Sequence, residues 1–212
     1  VENRYGKYMH EFYKDCVYSI HADSGGLQVI TRGSDINEDV KNQVYESQRK
    51  YSDIAMSFDE IPLLVDEKSR IGSTQDRLFD DNIEDYVIKS ADNLKKQIEF
   101  FDRHNSSTKP MMIIHGNCYD TFMKWFDIMI HNIPSDYHNK IAGIALSGAS
   151  HGSGLKEEIE RAVIIGQLSG FKNYFHLLGI GSISRLLPYI IFMNNGYYKN
   201  IHLSYDSTTH TK

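Results

Sequence analysis

Apolar residues along the chain gather in short, nearly unbroken runs rather than in strict alternation with polar ones. Six of these runs read as strands: CVYSIHA from Cys16, DIAMSF from Asp53, MMIIH from Met111, IAGIALS from Ile141, YFHLLGI from Tyr174 and NIHLSY from Asn200. Uniform apolarity is the mark of a strand covered on both faces. Between the runs the period lengthens. IEDYVIKSADNLKKQIEFFDRH sets Tyr86, Ile88, Leu94, Ile98 and Phe101 at roughly helical spacing, with Asn and Ser following as a stop. CYDTFMKWFDIMIHNI and GLKEEIERAVIIGQLSG read the same way, and SISRLLPYIIFMNNG is a shorter helix with Pro188 near its first turns and Gly196 beyond its end. No repeat or low-complexity tract interrupts this order. The polar stretch from Val65 to Glu84 is expected to be a long loop or lid, or a solvated face.

Alternating strands and helices predict βα units on a parallel sheet. The architecture that best accommodates them is α/β, a (β/α)8 TIM-type barrel, formed by residues 1–212 as one domain. Six strands fall short of eight. The barrel is therefore expected to be compact or incomplete, or completed by weaker strands in the first residues or outside these 212.

Composition narrows the class. A chain with 41% hydrophobic and 24% charged residues can bury a real core. No apolar run approaches the roughly 20 residues needed to span a bilayer, and VENRYGKYMHEF lacks the pattern of a signal peptide. A cytoplasmic protein is expected, in the host cytoplasm if phage-encoded, with no membrane partner. Cys16 and Cys118 have no ligand spacing around them and are read as reduced, structural thiols. The net charge of −5 argues against a large nonspecific phosphate-binding surface, while leaving room for a local basic path. The chain starts without Met and stops at Thr-His-Thr-Lys, and is read as a fragment or a processed product.

In βα barrels the working residues occupy the carboxyl ends of the strands. Here each candidate strand ends in a polar or glycine-rich cluster: HADSGG, SFDEIP, HGNCYD, LSGASHGSG, LGIGS and SYDSTTHT. Three of these carry an aspartate, Asp23, Asp59 and Asp206. Converging carboxylates suit the cutting of a sugar–base bond, one attacking the anomeric carbon while a second shuttles the proton of the leaving and entering bases. Crowding pushes their pKa values apart and so separates the roles. A third can accept from adjacent ring and exocyclic N–H groups, the donor pattern of guanine. Plainer readings stand beside these. Asp23 suits a turn, Asp59 a helix N-cap, and Asp206 a loose terminus. His115 is as readily a core group as a functional one, His176 is mainly structural, and SGASHGSG suits either a phosphate nest or a base. GIGS in this chain lacks the spacing of a dinucleotide fingerprint.

DSGGLQV, SDIAMSFDEIP, HGN, GIALSGASHG, HLLGIG and SYDSTTHT stand in the order found in the tRNA-guanine (queuine) transglycosylase family, which the chain resembles from about Asp23 to Lys212. The resemblance implies a (β/α) barrel that exchanges guanine for a 7-deazaguanine through a covalent enzyme–nucleic acid intermediate. It implies Asp206 as nucleophile, Asp23 as general acid/base and Asp59 as base reader. Ser24, His115, Gly148 and Ala149 fall where the family holds the purine. Leu27 stands where the family stacks a Tyr, so the base would lie between Leu27 and Leu178; His115 replaces a usual Gln.

The segment after the nucleophile, STTHTK, departs from the tRNA enzymes, and the family's zinc-binding Cys/His cluster is missing from these residues, so no metal is expected. These departures resemble DpdA-type DNA guanine transglycosylases, which insert bases such as 7-cyano-7-deazaguanine. The expected partners are thus DNA, with tRNA as the alternative, a guanine or 7-deazaguanine base, and as an option a second copy in a homodimer. A noncatalytic partner subunit is a further alternative, against which the three retained aspartates speak. No cofactor is expected, since the exchange is not a redox reaction.

Overall fold

A computed structural model of the chain describes residues 19–25, 37–61, 83–148, 155–180 and 182–206. Its elements run β1 (His21–Ala22), α1 (Glu38–Tyr51), β2 (Ile54–Met56), α2 (Ile83–Arg103), β3 (Lys109–Gly116), α3 (Tyr119–Asn132), a 3-10 turn (Ser135–Lys140), β4 (Gly143–Gly148), α4 (Leu155–Leu168), β5 (Tyr174–Leu178), α5 (Ile183–Asn194) and β6 (His202–Tyr205). The six strands form one parallel sheet in chain order, β1 to β6. Each strand therefore pairs with its sequence neighbours and each intervening helix is a crossover, as in barrel βα units.

The sheet is curled. The Tyr174 hydroxyl on β5 lies 2.8 Å from His21 Nε2 on β1, three strands away in hydrogen-bonding order from β5's own neighbour β4. The rings of His21 and His176 are 5.9 Å apart. A flat sheet would separate β1 from β5 by about four strand spacings of 4.8 Å each, so the inner faces must bend toward each other. The result is a curled half-barrel. Among the described residues no ladder joins β6 back to β1, so the sheet is part of a barrel rather than a complete (β/α)8 one, in keeping with the incomplete barrel expected from six strands.

Alternation along the strands sorts the core into two layers. Met56, Met111, Ile113 and Ala145 pack inside the curl with Ile54, Tyr174 and Leu178. The alternate residues Met112, Ile114, Ile144, Leu146, Phe175 and Leu177 face outward into the helices, where Leu94, Ile98, Phe122, Trp125, Met129, Ile164 and Ile165 cover them. Burying each such side chain stabilises by roughly 1.5–3 kcal/mol, well above the few tenths separating most helix propensities, so packing fixes these helices. Gly116 ends β3 where α3 comes closest: a Cβ there would stand 2.3 Å from the Phe122 ring.

The first helix was not expected. In α1 only Tyr45 and Gln48 are buried, so the polar sequence EDVKNQVYESQRKY carries almost no apolar period. Its ends are nevertheless well made. Asn37 Oδ1 accepts from Val40 N at 2.9 Å, Glu38 and Asp39 begin the helix, and Arg49 and Lys50 close it, which suits the helix dipole. The first strand is shorter than CVYSIHA suggested, spanning His21–Ala22, while residues 16–18 lie outside the described residues. Most of the lid expected over Val65 to Glu84 also lies outside them; Ile83 and Glu84 begin α2.

Candidate functional site

Because all six strands run parallel, their carboxyl ends reach one rim. Asp23 directly follows β1, Asp59 lies three residues beyond β2, His115 is the last residue but one of β3, Gly148 closes β4, Leu178 closes β5, and Asp206 directly follows β6. Leu27 and Ala149 lie outside the described residues. The inward alternation brings some of these to the same side. His21, two residues before Asp23, faces Tyr174 and His176, which share a strand face with Leu178; Ser204, two residues before Asp206, faces the same pair.

Asp206 is held from two sides. Its Oδ1 accepts from Gly179 N at 2.5 Å, and His176 Nε2 stands 3.9 Å away. The carboxylate is half exposed, with Oδ2 free of hydrogen bonds among the described residues. Gly179 adopts φ 70°, a left-handed conformation that glycine takes without strain, and this turns its N–H toward Asp206. The ladder continues into Asp206, whose N–H donates to Leu177 O at 3.2 Å, so a loose terminus does not describe this residue.

Beneath it runs a polar chain. His176 Nδ1 is 2.8 Å from Ser204 Oγ, which is 3.0 Å from the Tyr174 hydroxyl, itself bonded to His21. Burial pushes the His176 imidazole down to about 4, with Asp206 pulling upward and His21 adding to the downward push. Burial likewise lowers His21, against the pull of Asp53. Both rings are therefore neutral near pH 7, each with one donor and one acceptor nitrogen. Burial raises the Tyr174 phenol, and its bond to Ser204 partly offsets this.

Asp59 and His115 form a separate unit. His115 Nε2 meets Asp59 Oδ2 at 2.5 Å, with side-chain exposures of only 2% and 7%. The imidazole also packs on Trp125, ring centroids 4.8 Å apart. Residues 60 and 61, which directly follow it, are not helical, so Asp59 caps no helix. The sequence treated Asp59 and His115 as separate contacts; the structure joins them.

Asp23 does make a turn contact, its Oδ1 accepting from Ser24 N at 2.7 Å before Gly25 at φ 71°. The same residue stays exposed at the rim, so turn and chemistry are compatible. Ser24 is buried beside it. Sequence reasoning missed Gln48, which is 2% exposed and reaches from α1 to the Asp23 carbonyl at 3.2 Å. No periodic or motif signal marks it.

Among the described residues no three His, Cys, Asp or Glu side chains gather as a metal ligand set, and no helix is long and apolar enough to cross a membrane. No protein-family model matches the chain, and no curated protein matches it closely enough to serve as a relative.

Proposed function

We propose that this chain is a nucleic-acid guanine transglycosylase that exchanges guanine for a 7-deazaguanine in DNA, and that its curled sheet is part of a (β/α)8 barrel. The observation that carries the reading is the placement of Asp206. It is a half-exposed carboxylate with one oxygen anchored by Gly179 and the other without a hydrogen bond among the described residues, on the same rim as exposed Asp23 and buried Asp59.

In this reading the target nucleotide leaves the helical stack, at a cost of a few kcal/mol that pocket and backbone contacts must offset. Asp206 Oδ2 attacks the anomeric carbon as the bond to guanine N9 breaks, and Asp23 in its protonated form gives the proton to the departing base. Asp23, now ionised, takes the N9 proton of the entering base. That nitrogen attacks the same carbon and expels Asp206, so two inversions give net retention. Asp59, with Oδ2 tied to His115, offers Oδ1 to the N–H edge of the base. Leu178 lies on one face of the base, and Ser24 and Gly148 line its edge; Leu27 and Ala149, which the family resemblance assigns to the same base, lie outside the described residues. No electrons leave the system, so no redox cofactor enters.

The decisive experiment incubates the purified chain with labelled guanine and either guanine-containing DNA or tRNA. Label in DNA, together with an adduct that survives denaturation and disappears in Asp206→Ala, supports the proposal. Label in tRNA alone replaces the substrate, and exchange at an unchanged rate in Asp206→Ala removes the mechanism.

A further inference from the structure

The ladder between β1 and β2 is only two pairs long, His21 with Ile54 and Ala22 with Ala55. The next pair in this register would be Asp23 with Met56. There the strands are held instead by a side chain from α1. Gln48 Nε2 donates to Asp23 O at 3.2 Å and to Met56 O at 3.0 Å. An amide nitrogen carries two hydrogens, one for each carbonyl, so this geometry exhausts its donors. Gln48 is itself fixed from α2: Gln97 Nε2 donates to Gln48 Oε1 at 2.8 Å and to Met56 O at 3.3 Å. Gln48 and Gln97 are 2% and 0% exposed, so their amides compete with little water.

We propose that Gln48 is a positioning residue that sets where Asp23 stands relative to β2, and so to the Asp59 that follows it. Gln48 touches no reacting atom; it acts through the main chain of Asp23. This role rests on the functional reading above, in which Asp23 is the acid/base. A carbonyl tied to a neutral, buried amide holds its residue without adding charge beside a group that must gain and lose a proton. Lengthening the backbone ladder by one more pair would have fixed the strand end too, but at the spacing the ladder dictates.

The test uses Gln48→Met, which keeps length and removes both donors, in the full chain. Without any substrate, the amides of Ser24 and Gly25 are expected to exchange with deuterium at least about tenfold faster, while those of β3, β4 and β5 keep their rates. Unchanged exchange at Ser24 and Gly25 overturns the proposal. With substrate, single-turnover adduct formation on guanine-containing DNA is expected to slow roughly tenfold to a hundredfold, since a misplaced acid loses much of its effect.

The same rate on DNA carrying 7-methylguanine, whose cationic base departs without a proton, is expected to stay within about twofold of the unsubstituted chain's. Equal deficits on both DNAs assign Gln48 a merely structural part and overturn the inference. If Gln48→Met does not fold, Gln97→Met, which removes the buttress on Gln48 and the longer bond to Met56 O but leaves both donors of Gln48, carries the same pair of readouts in the same direction. A chain that forms no adduct with any substrate sinks the functional reading, while the deuterium-exchange result still decides whether Gln48 holds the β1 end.

Discussion

The carboxylate of Asp59 and the imidazole of His115 meet at 2.5 Å where solvent scarcely reaches, between the ends of β2 and β3. Two ionisable groups this close and this buried depend on each other more than on water. Losing one partner leaves the other without its bond in a place where a replacement is hard to find.

Asp59→Ala is therefore expected to lower unfolding free energy by about 3 kcal/mol, and Asp59→Asn, which keeps an acceptor oxygen, by about 1 kcal/mol. Urea denaturation of the three proteins measures this. Coincident midpoints for the wild type and Asp59→Ala would contradict the pairing.

Acid should weaken the fold through His176. Burial pushes its folded pKa down to about 4, against 6.5 for a free imidazole, because it disfavours the charged ring. As pH falls through 6.5 the unfolded chain takes the proton first. Stability is thus fully present above that point, declines down to about pH 4, and is flat below it as far as this group is concerned. The whole effect is on the order of 3 kcal/mol. His176→Gln is expected to flatten the decline of the urea midpoint between pH 6.5 and 4. Asp206→Asn, which removes the carboxylate that pulls the ring upward, should extend it to lower pH.

Gly179 should tolerate no side chain. At φ 70° an alanine costs roughly 1–2 kcal/mol, and relaxing the strain would turn the N–H away from Asp206 Oδ1. Gly179→Ala is expected to shift the thermal midpoint down by several degrees and to suppress adduct formation more than the lost stability explains. An adduct rate equal to the wild type's would show that the anchored oxygen does not matter.

Between α4 and α5, fully buried Glu158 accepts from Arg161 at 2.8 Å, from Arg185 Nε at 2.6 Å and from the Tyr189 hydroxyl at 2.7 Å. Glu158→Ala removes the acceptor that two guanidiniums and a phenol share, and is expected to destabilise by about 3–5 kcal/mol. Glu158→Gln should cost less. Calorimetry separates these values from the near-zero cost typical of an exposed glutamate such as Glu84.

Five of the six strands could be read in place, because β2 to β6 are apolar runs with turn residues at their ends. So could α2, α3 and α4, whose buried residues repeat at helical spacing, and α5, which buries only Pro188 and Tyr189 but has Gly196 beyond its end. What escaped has a common cause. The helix α1 keeps only Tyr45 and Gln48 inside and relies on caps, leaving no hydrophobic period to detect. The rim aspartates were legible because strand ends are where chemistry collects. The links among them were not, since His115 reaches Asp59 across 56 residues, Tyr174 reaches His21 across 153, and Gln48 reaches Asp23 by a main-chain carbonyl that any residue could supply. The curl that makes these contacts is a property of the whole sheet rather than of any segment.

The chain-order pairing from β1 to β6 also bears on how the protein acquires its shape. No strand must wait for a distant one: β3 and β4, with six register pairs between them, can dock across one intervening helix, and each later strand adds to an edge already in place. Loop-closure entropy is thus spent in small instalments. The nucleus should form around the eight-residue β3, with the two-residue β1 joining last. Conservative truncations at Ile114 or Leu146 should therefore slow folding, whereas truncation at Ile54 should mainly speed unfolding.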